Sequence, residues 1–291
     1  IRVKEQTSLT IGSGSLTITG GSITDFQNIN DAVPFITGWT VDSGTASESN
    51  RGLFAGAWRP LAGSFNPIFA RKTSGTAATV SYAAVEFIGK NWEIQAVEHA
   101  FTGVTGQENV EQFIHDVNKA FVHVQFDTNS GANDEAGVKA WIADQNAIGL
   151  SLRAGASVPN AVTMRAIVWA IENTQTDGNE MNVQTWFGTR ANGGTEPETW
   201  TQTVNAVRDV NQTSLFLSGV GGGTGSTPPR GVIDATLTNT TTVTLWQSDT
   251  GVETEFAINV IEWPTAPTVT ASTAKTAFTF NVNIVTTKSH S

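Results

Sequence analysis

The stretch Val260-Ile261-Glu262-Trp263 decides the fold of this chain, because the same pattern closes two earlier segments. The earlier copies read Ala84-Val85-Glu86-Phe87 and Ala170-Ile171-Glu172-Asn173, each an apolar strand with one acid near its end. The acids recur at intervals of roughly 90 residues, a period that indicates a repeated structural unit.

Three further signals recur in the same order before each closing strand. An apolar, alternating stretch begins after Asn30, Asn118 and Asn211. A Gly/Ser/Asn-rich loop then ends at Arg51-Gly52-Leu53, Ala136-Gly137-Val138 and Arg230-Gly231-Val232. A second apolar stretch follows, at Ile68-Phe69-Ala70-Arg71, Leu150-Ser151-Leu152-Arg153 and Val243-Thr244-Leu245-Trp246. This order predicts three tandem units, of which the third is the most diverged.

The composition favours β-structure. Only 14% of the 291 residues are charged, while Thr, Ser, Gly and Asn are abundant. Thr and Val favour extended backbone, and Gly and Asn supply tight turns. Short alternating strands with turn signals about every 8 to 12 residues predict a small sandwich or barrel in each unit. One alternative stays open at residues 109–120, where Val110, Phe113, Ile114 and Val117 also fit a helical spacing.

We therefore predict an all-β chain of about three tandem β-sandwich or barrel-like units with N- and C-terminal strand arms. Residues 1–21 form an N-terminal hairpin or arm that turns at Gly12-Ser13-Gly14. The units cover residues 22–91, 92–178 and 179–264, and residues 265–291 form a linker and a strand. That strand carries Phe278, Phe280, Val282 and Ile284, and it either pairs within its own chain or adds to a neighbour's sheet.

A search for catalytic chemistry predicts that the chain is not an enzyme. Cysteine is absent, no Gly-x-Ser-x-Gly elbow occurs, and neighbouring residues such as His115-Asp116 point to opposite faces of a strand. Glu86, Glu172 and Glu262 occur once per unit, whereas a glycosidase needs two acids in one cleft. Their recurrence indicates a structural role in every unit, such as a hydrogen bond that closes a strand end.

Cofactors and metal ions are not expected either. The loop that starts at Asp127 resembles a calcium loop but lacks the EF-hand spacing of glycine and glutamate. A polar turn is therefore the interpretation, with a calcium ion on Asp127, Asn129, Asp134 or Glu135 as the alternative.

Charge and hydropathy exclude two classes of partner. The formal net charge is -10, from 16 basic and 26 acidic residues, and an acidic surface repels nucleic-acid phosphates. No apolar run reaches the roughly 18 residues that a membrane helix needs.

Tryptophan is the unusual residue, with nine copies against one tyrosine. Trp39, Trp186 and Trp200 lie beside Gly and Thr in predicted loops, where they are candidates to stack on a sugar or to contact a partner. The other tryptophans fall mostly within apolar alternation and are predicted to fill the core.

The units resemble virion structural proteins of tailed bacteriophages, namely capsid decoration (cement), head-fibre and tail-associated proteins. The resemblance covers about Asp25 to Pro264 and is carried by the two Arg-Gly turns at Arg51 and Arg230, by Leu152-Arg153 and by the closing strand Val260–Trp263. It implies a decoration protein that binds the major capsid protein or other virion proteins, on a virion assembled in the host cytoplasm. A carbohydrate- or receptor-binding tail or fibre module is the alternative, and a homo-oligomer stays open. A further hypothesis places the three units around a pseudo-three-fold axis, as in a trimer.

Overall fold

A computed structural model describes residues 1–41, 54–61, 64–72, 74–102, 105–128, 137–153, 163–176, 180–190, 198–220, 233–247 and 254–263. Within these ranges the chain forms β-strands and short 3-10 turns, without an α-helix. No helix in this part of the chain is therefore long and apolar enough to span a membrane. The predicted all-β class is confirmed.

The strands of the described residues fall into three groups of six, which we call units 1, 2 and 3. Unit 1 contains β1 (Arg2–Ile11), β2 (Thr17–Thr19), β3 (Ala32–Val41), β4 (Ala55–Leu61), β5 (Ser64–Ala70) and β6 (Ala78–Glu86). Unit 2 contains β7 (Trp92–Thr102), β8 (Thr105–Glu111), β9 (Ala120–Thr128), β10 (Gly137–Asp144), β11 (Ala147–Arg153) and β12 (Thr163–Asn173). Unit 3 contains β13 (Asn182–Arg190), β14 (Glu198–Thr203), β15 (Thr213–Val220), β16 (Ile233–Asn239), β17 (Thr242–Gln247) and β18 (Thr254–Glu262).

All three units have the same antiparallel topology. The first, sixth and third strands of each unit form one sheet, in the orders β1-β6-β3, β7-β12-β9 and β13-β18-β15. We call these the inner sheets. The second, fifth and fourth strands form the outer sheets, β2-β5-β4, β8-β11-β10 and β14-β17-β16. Each unit is thus a small sandwich, and the predicted tandem β units are confirmed.

The predicted N-terminal hairpin is wrong. β1 pairs with β6, from Arg2 opposite Glu86 to Ile11 opposite Ala78, whereas β2 pairs with β5. Gly12-Ser13-Gly14 is therefore a corner where the chain passes from the inner to the outer sheet. Residues 1–21 are the first two strands of unit 1 and not an arm, just as β7 and β8 open unit 2.

The helix considered at residues 109–120 does not form. β8 runs to Glu111, with Val110 opposite Ile148, and only a 3-10 turn at Val117–Lys119 follows before β9. The first part of this stretch is held in the sheet by the pairing of β8 with β11, and the Asp116 side chain accepts a hydrogen bond from the Asn118 N–H, which caps the start of the short turn.

The central strand of each inner sheet is buried on both faces. On β12, Ala166, Val168 and Ala170 face the core inside unit 2, while Ile167, Trp169 and Ile171 face a different core. A strand covered on both sides reads as a nearly continuous apolar run, which explains the closing-strand pattern in the sequence.

The second core is shared by all three units. Its buried residues come from the three inner sheets and the segments beside them, and include Val33, Phe35, Val85, Phe121, Ile167, Trp169, Ile171, Val183, Ile261 and Trp263. Each unit also has its own core between its two sheets. The shared core therefore joins three sandwiches into one body.

The third strands of the units meet in this shared core. Phe35, His123 and Phe216 occupy equivalent positions, each three residues after the start of its strand. The ring centroids of Phe35 and His123 are 4.7 Å apart, those of Phe35 and Phe216 are 5.8 Å apart, and those of Phe121 and Phe216 are 5.1 Å apart. Every unit thus contacts both others, in a closed arrangement rather than a linear string.

Polar side chains bridge the boundaries between units. The buried Gln125 of unit 2 donates to the Pro34 carbonyl (2.7 Å) and accepts from the Gly56 N–H (2.7 Å), both in unit 1. Lys139 of unit 2 pairs with Glu255 of unit 3 at 2.8 Å. Because Gln125 is the hydrogen-bond partner of backbone groups of β3 and β4, the boundary between units 1 and 2 is fixed by directional contacts as well as by apolar packing.

Candidate functional site

The three repeated acids hold one recurring structure, which we call the clasp. Glu86, Glu172 and Glu262 end the central inner strands and are buried. Glu172 accepts hydrogen bonds from the backbone N–H groups of His115 (3.0 Å) and Asp116 (2.7 Å), just before the 3-10 turn. The acids of units 1 and 3 accept equivalent backbone bonds from Gln27, Asn28 and Arg208. The structural role predicted for these acids is confirmed, since each ties a strand end to a turn.

The turn beside each clasp is also repeated. Asn28, Asp116 and Asp209 accept a hydrogen bond from the N–H two residues later, at 3.1, 2.9 and 2.8 Å. The asparagine that marks each copy in the sequence stands two residues after this capping side chain, which was not predicted. The missed signal is Asn or Asp, then Ile or Val, then Asn, as in Asp209-Val210-Asn211.

The cationic partner of the acid differs between units 1 and 3. In unit 1, Arg2 Nη1 lies 3.7 Å and Lys4 Nζ lies 3.6 Å from Glu86 Oε2. In unit 3, Arg208 Nε lies 2.6 Å from Glu262 Oε1. Both acids therefore face a permanently positive side chain of their own unit.

Unit 2 replaces these cations. Glu93 stands opposite Glu172 in the strand pair, where Arg2 stands opposite Glu86. His115 precedes the capping aspartate, as Arg208 does in unit 3. The His115 Nδ1 atom lies 3.2 Å from Glu172 Oε2 and 3.3 Å from Glu93 Oε2. Two carboxylates and one imidazole thus converge at the clasp of the middle unit.

The three tryptophans predicted as loop residues lie on strands. Trp39 is on β3 and packs against the core of unit 1, whereas Trp186 on β13 and Trp200 on β14 pack against the core of unit 3. The loop placement is wrong because Gly38 and Gly188, near Trp39 and Trp186, are strand residues, and the threonines beside Trp200 are strand residues as well. Gly188, for example, stands opposite Phe256, whose ring lies 2.7 Å from where a Cβ would be.

The remaining predicted site residues divide into two groups. The C-terminal candidates Phe278, Phe280, Val282 and Ile284 lie outside the described residues, as do Asn129, Asp134 and Glu135 of the calcium alternative. Asp127 is buried, and its Oδ2 accepts a hydrogen bond of 2.6 Å from Arg165 Nη2. Burial raises the pKa of the Asp127 carboxyl, and Arg165 opposes that rise.

An exposed tryptophan was overlooked in the sequence. Trp246 is 42% exposed near the end of β17, the central strand of the outer sheet of unit 3, between Thr199 on β14 and Asp234 on β16. Alternation could have found it, since Val243 and Leu245 are buried and residue 246 must then face outward.

No family model, curated protein or solved structure matches this chain. The function is therefore argued from the fold and from the contacts above.

Proposed function

We propose that this chain is a virion structural protein, a capsid decoration (cement) protein that binds the major capsid lattice. The observation that carries this proposal is the meeting of three alike sandwiches in one shared core. Capsid lattices contain positions where three subunits meet around a local three-fold axis. A single chain with pseudo-three-fold symmetry can offer a similar surface to each of the three subunits.

The use of the buried acids supports a structural role. Glu86, Glu172 and Glu262 are occupied by backbone N–H groups, and Asp127 is paired with Arg165. Backbone N–H groups and cations hold these carboxylates at strand ends and in ion pairs, which is how a structural protein uses buried acids. The proposal therefore includes that the protein is not an enzyme.

The proposed contact with the lattice has two parts. The pseudo-three-fold body would seat on the capsid, and residues 265–291, with the alternating stretch from Phe278 to Ile284, would add a strand to a neighbouring subunit. The proposed location is the virion surface, after assembly in the host cytoplasm.

The test is to measure the copy number and position of the protein on purified virions of the phage whose genome encodes it. Quantitative mass spectrometry should give a copy number close to the number of local three-fold positions, and electron cryomicroscopy should show density there. Deleting residues 265–291 should weaken binding to undecorated capsids while leaving the circular dichroism spectrum unchanged. A protein absent from virions would contradict the proposal, and a few copies confined to the tail would favour the tail or fibre alternative.

A second candidate function is carbohydrate binding, and exposed Trp246 favours it. Its indole lies on the outward face of the sheet, with Thr199 and Asp234 at the paired positions on either side, an arrangement suited to stacking on a sugar ring while bonding its hydroxyls. A ligand from a broad glycan array should quench tryptophan fluorescence, and Trp246→Ala should remove both quenching and binding. Trp200→Phe, on the opposite face of the same sheet, is the control. An array without a binder would remove this candidate.

A further inference from the structure

We propose that unit 2 carries a binding site for a divalent transition-metal cation, zinc in the first place, formed by Glu93, His115 and Glu172. One ligand atom from each residue lies within 4.8 Å of the other two. This inference concerns the clasp of the middle unit and does not depend on the proposed function.

Two of the three distances between the ligand atoms fit a tetrahedral ion. Zinc bound at about 2.0–2.1 Å by nitrogen and oxygen has its ligand atoms about 3.3–3.4 Å apart. The His115 Nδ1 atom already lies 3.2 Å from one carboxylate oxygen and 3.3 Å from the other. Three protein ligands leave the fourth position to water. His115 and Glu93 are 51% and 40% exposed, so an ion can enter from solvent.

Hydrogen bonds hold the carboxylates in place. Glu172, whose side chain is 1% exposed, accepts the His115 and Asp116 backbone N–H groups. The second oxygen of Glu93 accepts a hydrogen bond of 2.9 Å from Gln95 Nε2. Such outer contacts orient ligands and raise metal affinity, so this site is partly organised before an ion binds.

Comparison of the three clasps supplies the independent argument. A buried carboxylate is costly without a positive partner, and units 1 and 3 provide one, from Arg2 and Lys4 in unit 1 and from Arg208 in unit 3. Unit 2 has a second carboxylate in the position of Arg2 and an imidazole in the position of Arg208. A bound metal ion would supply the positive charge that the guanidinium groups supply in the sister units.

The nearby lysine is a weaker partner of Glu172. Lys119 Nζ lies 2.9 Å from Glu180 and 3.8 Å from Asp116, and of these three carboxylates Glu172 interacts with it least. The imidazole of His115 determines which class of ion the site prefers. Imidazole suits zinc, copper, nickel and cobalt, whereas calcium and magnesium prefer all-oxygen sites.

The test is calorimetric titration of the full chain with ZnCl₂ at neutral pH, with CaCl₂ as the comparison. We expect one zinc per chain and no saturable calcium binding. At a free zinc concentration about a hundred times Kd, the melting temperature should rise by roughly 5 °C. The matched control is His115→Arg, which copies the residue of unit 3. It should abolish zinc binding while the zinc-free melting temperature stays the same or rises.

Two further measurements protect the test against a variant that fails to fold. Glu93→Arg, which copies unit 1, should also abolish binding, and Co²⁺ added to the unaltered protein should give the visible absorption of a tetrahedral site. Wild-type protein that binds no zinc up to millimolar concentration would overturn the proposal and leave His115 as a plain hydrogen-bond partner. Zinc binding that persists in both folded arginine variants would overturn it equally.

Discussion

Replacing His123 by phenylalanine should remove an acid sensitivity from the shared core. Units 1 and 3 have Phe35 and Phe216 at the equivalent positions, so His123→Phe makes the three third strands alike there. The His123 ring lies 4.7 Å from that of Phe35, and its Nε2 lies 3.1 Å from Gln125 Nε2. Phenylalanine fits the same apolar surroundings. The substitution removes one hydrogen bond from the Gln125 amide, which keeps its bond to the Pro34 carbonyl.

The magnitude follows from the protonation of the imidazole. Removal of the ring from water lowers the pKa of His123 from 6.5 to about 4. The unfolded chain therefore binds more protons between these values, and stability is lost as the pH falls from 6.5 towards 4. The loss amounts to about 2 kcal/mol at pH 5 and roughly 3 kcal/mol at the acid limit.

Urea unfolding at pH 8, 6.5 and 5 measures the effect. Carboxylate titration destabilises both proteins alike, so the difference between wild type and variant isolates the imidazole. At pH 8 the free energies of unfolding of wild type and variant should agree to within about 1 kcal/mol. Between pH 8 and pH 5 the difference between them should change by about 2 kcal/mol in favour of the variant. A difference that does not change with pH would refute a desolvated His123.

Three other substitutions test the contacts described above. Gln125→Ala should lower the free energy of unfolding by about 2–5 kcal/mol, because two buried backbone groups of unit 1 lose their partner. The control is Gln6→Ala on the exposed face of β1, which should change the free energy of unfolding by about 0.5 kcal/mol or less. Glu262→Gln should cost about 1–3 kcal/mol in a urea titration, because the third clasp loses its charge-assisted bond from arginine. Gly149→Ala should displace the indole of Trp141, which lies 2.3 Å from where the Cβ would be, and should shift the tryptophan emission with a loss of about 1–3 kcal/mol; unchanged emission would contradict the close approach.

Local pattern was enough to predict the strands and the repeat. Alternation marks the buried face of each strand, and the doubly buried central strands stand out as apolar runs that end in an acid. Pairing partners could not be read in the same way. A Gly-Ser-Gly link between two strands fits a hairpin and a sandwich corner equally well, and only the pairing of β1 with β6 decides between them.

The candidate metal site shows a second limit of sequence reasoning. His115-Asp116 looks unpromising as a pair, because adjacent side chains diverge. The partners of His115 are Glu93 and Glu172, which become neighbours only when β7 and β12 pair. Alignment of the three capping turns would still have placed His115 against Arg208 and drawn attention to the missing cation.

Fusion of the three units into one chain explains why their contacts differ. In a homotrimer, any residue at the axis occurs three times, so a histidine there would introduce three imidazoles into one apolar core. A single chain can hold His123 beside two phenylalanines, and it can bridge one boundary with Gln125 and another with Lys139 and Glu255. The clasps follow the same logic, since two of them carry arginine and one carries a histidine with a second acid. The units thus differ at positions where symmetry would otherwise multiply a costly group. A function specific to one unit should be sought at these unequal positions.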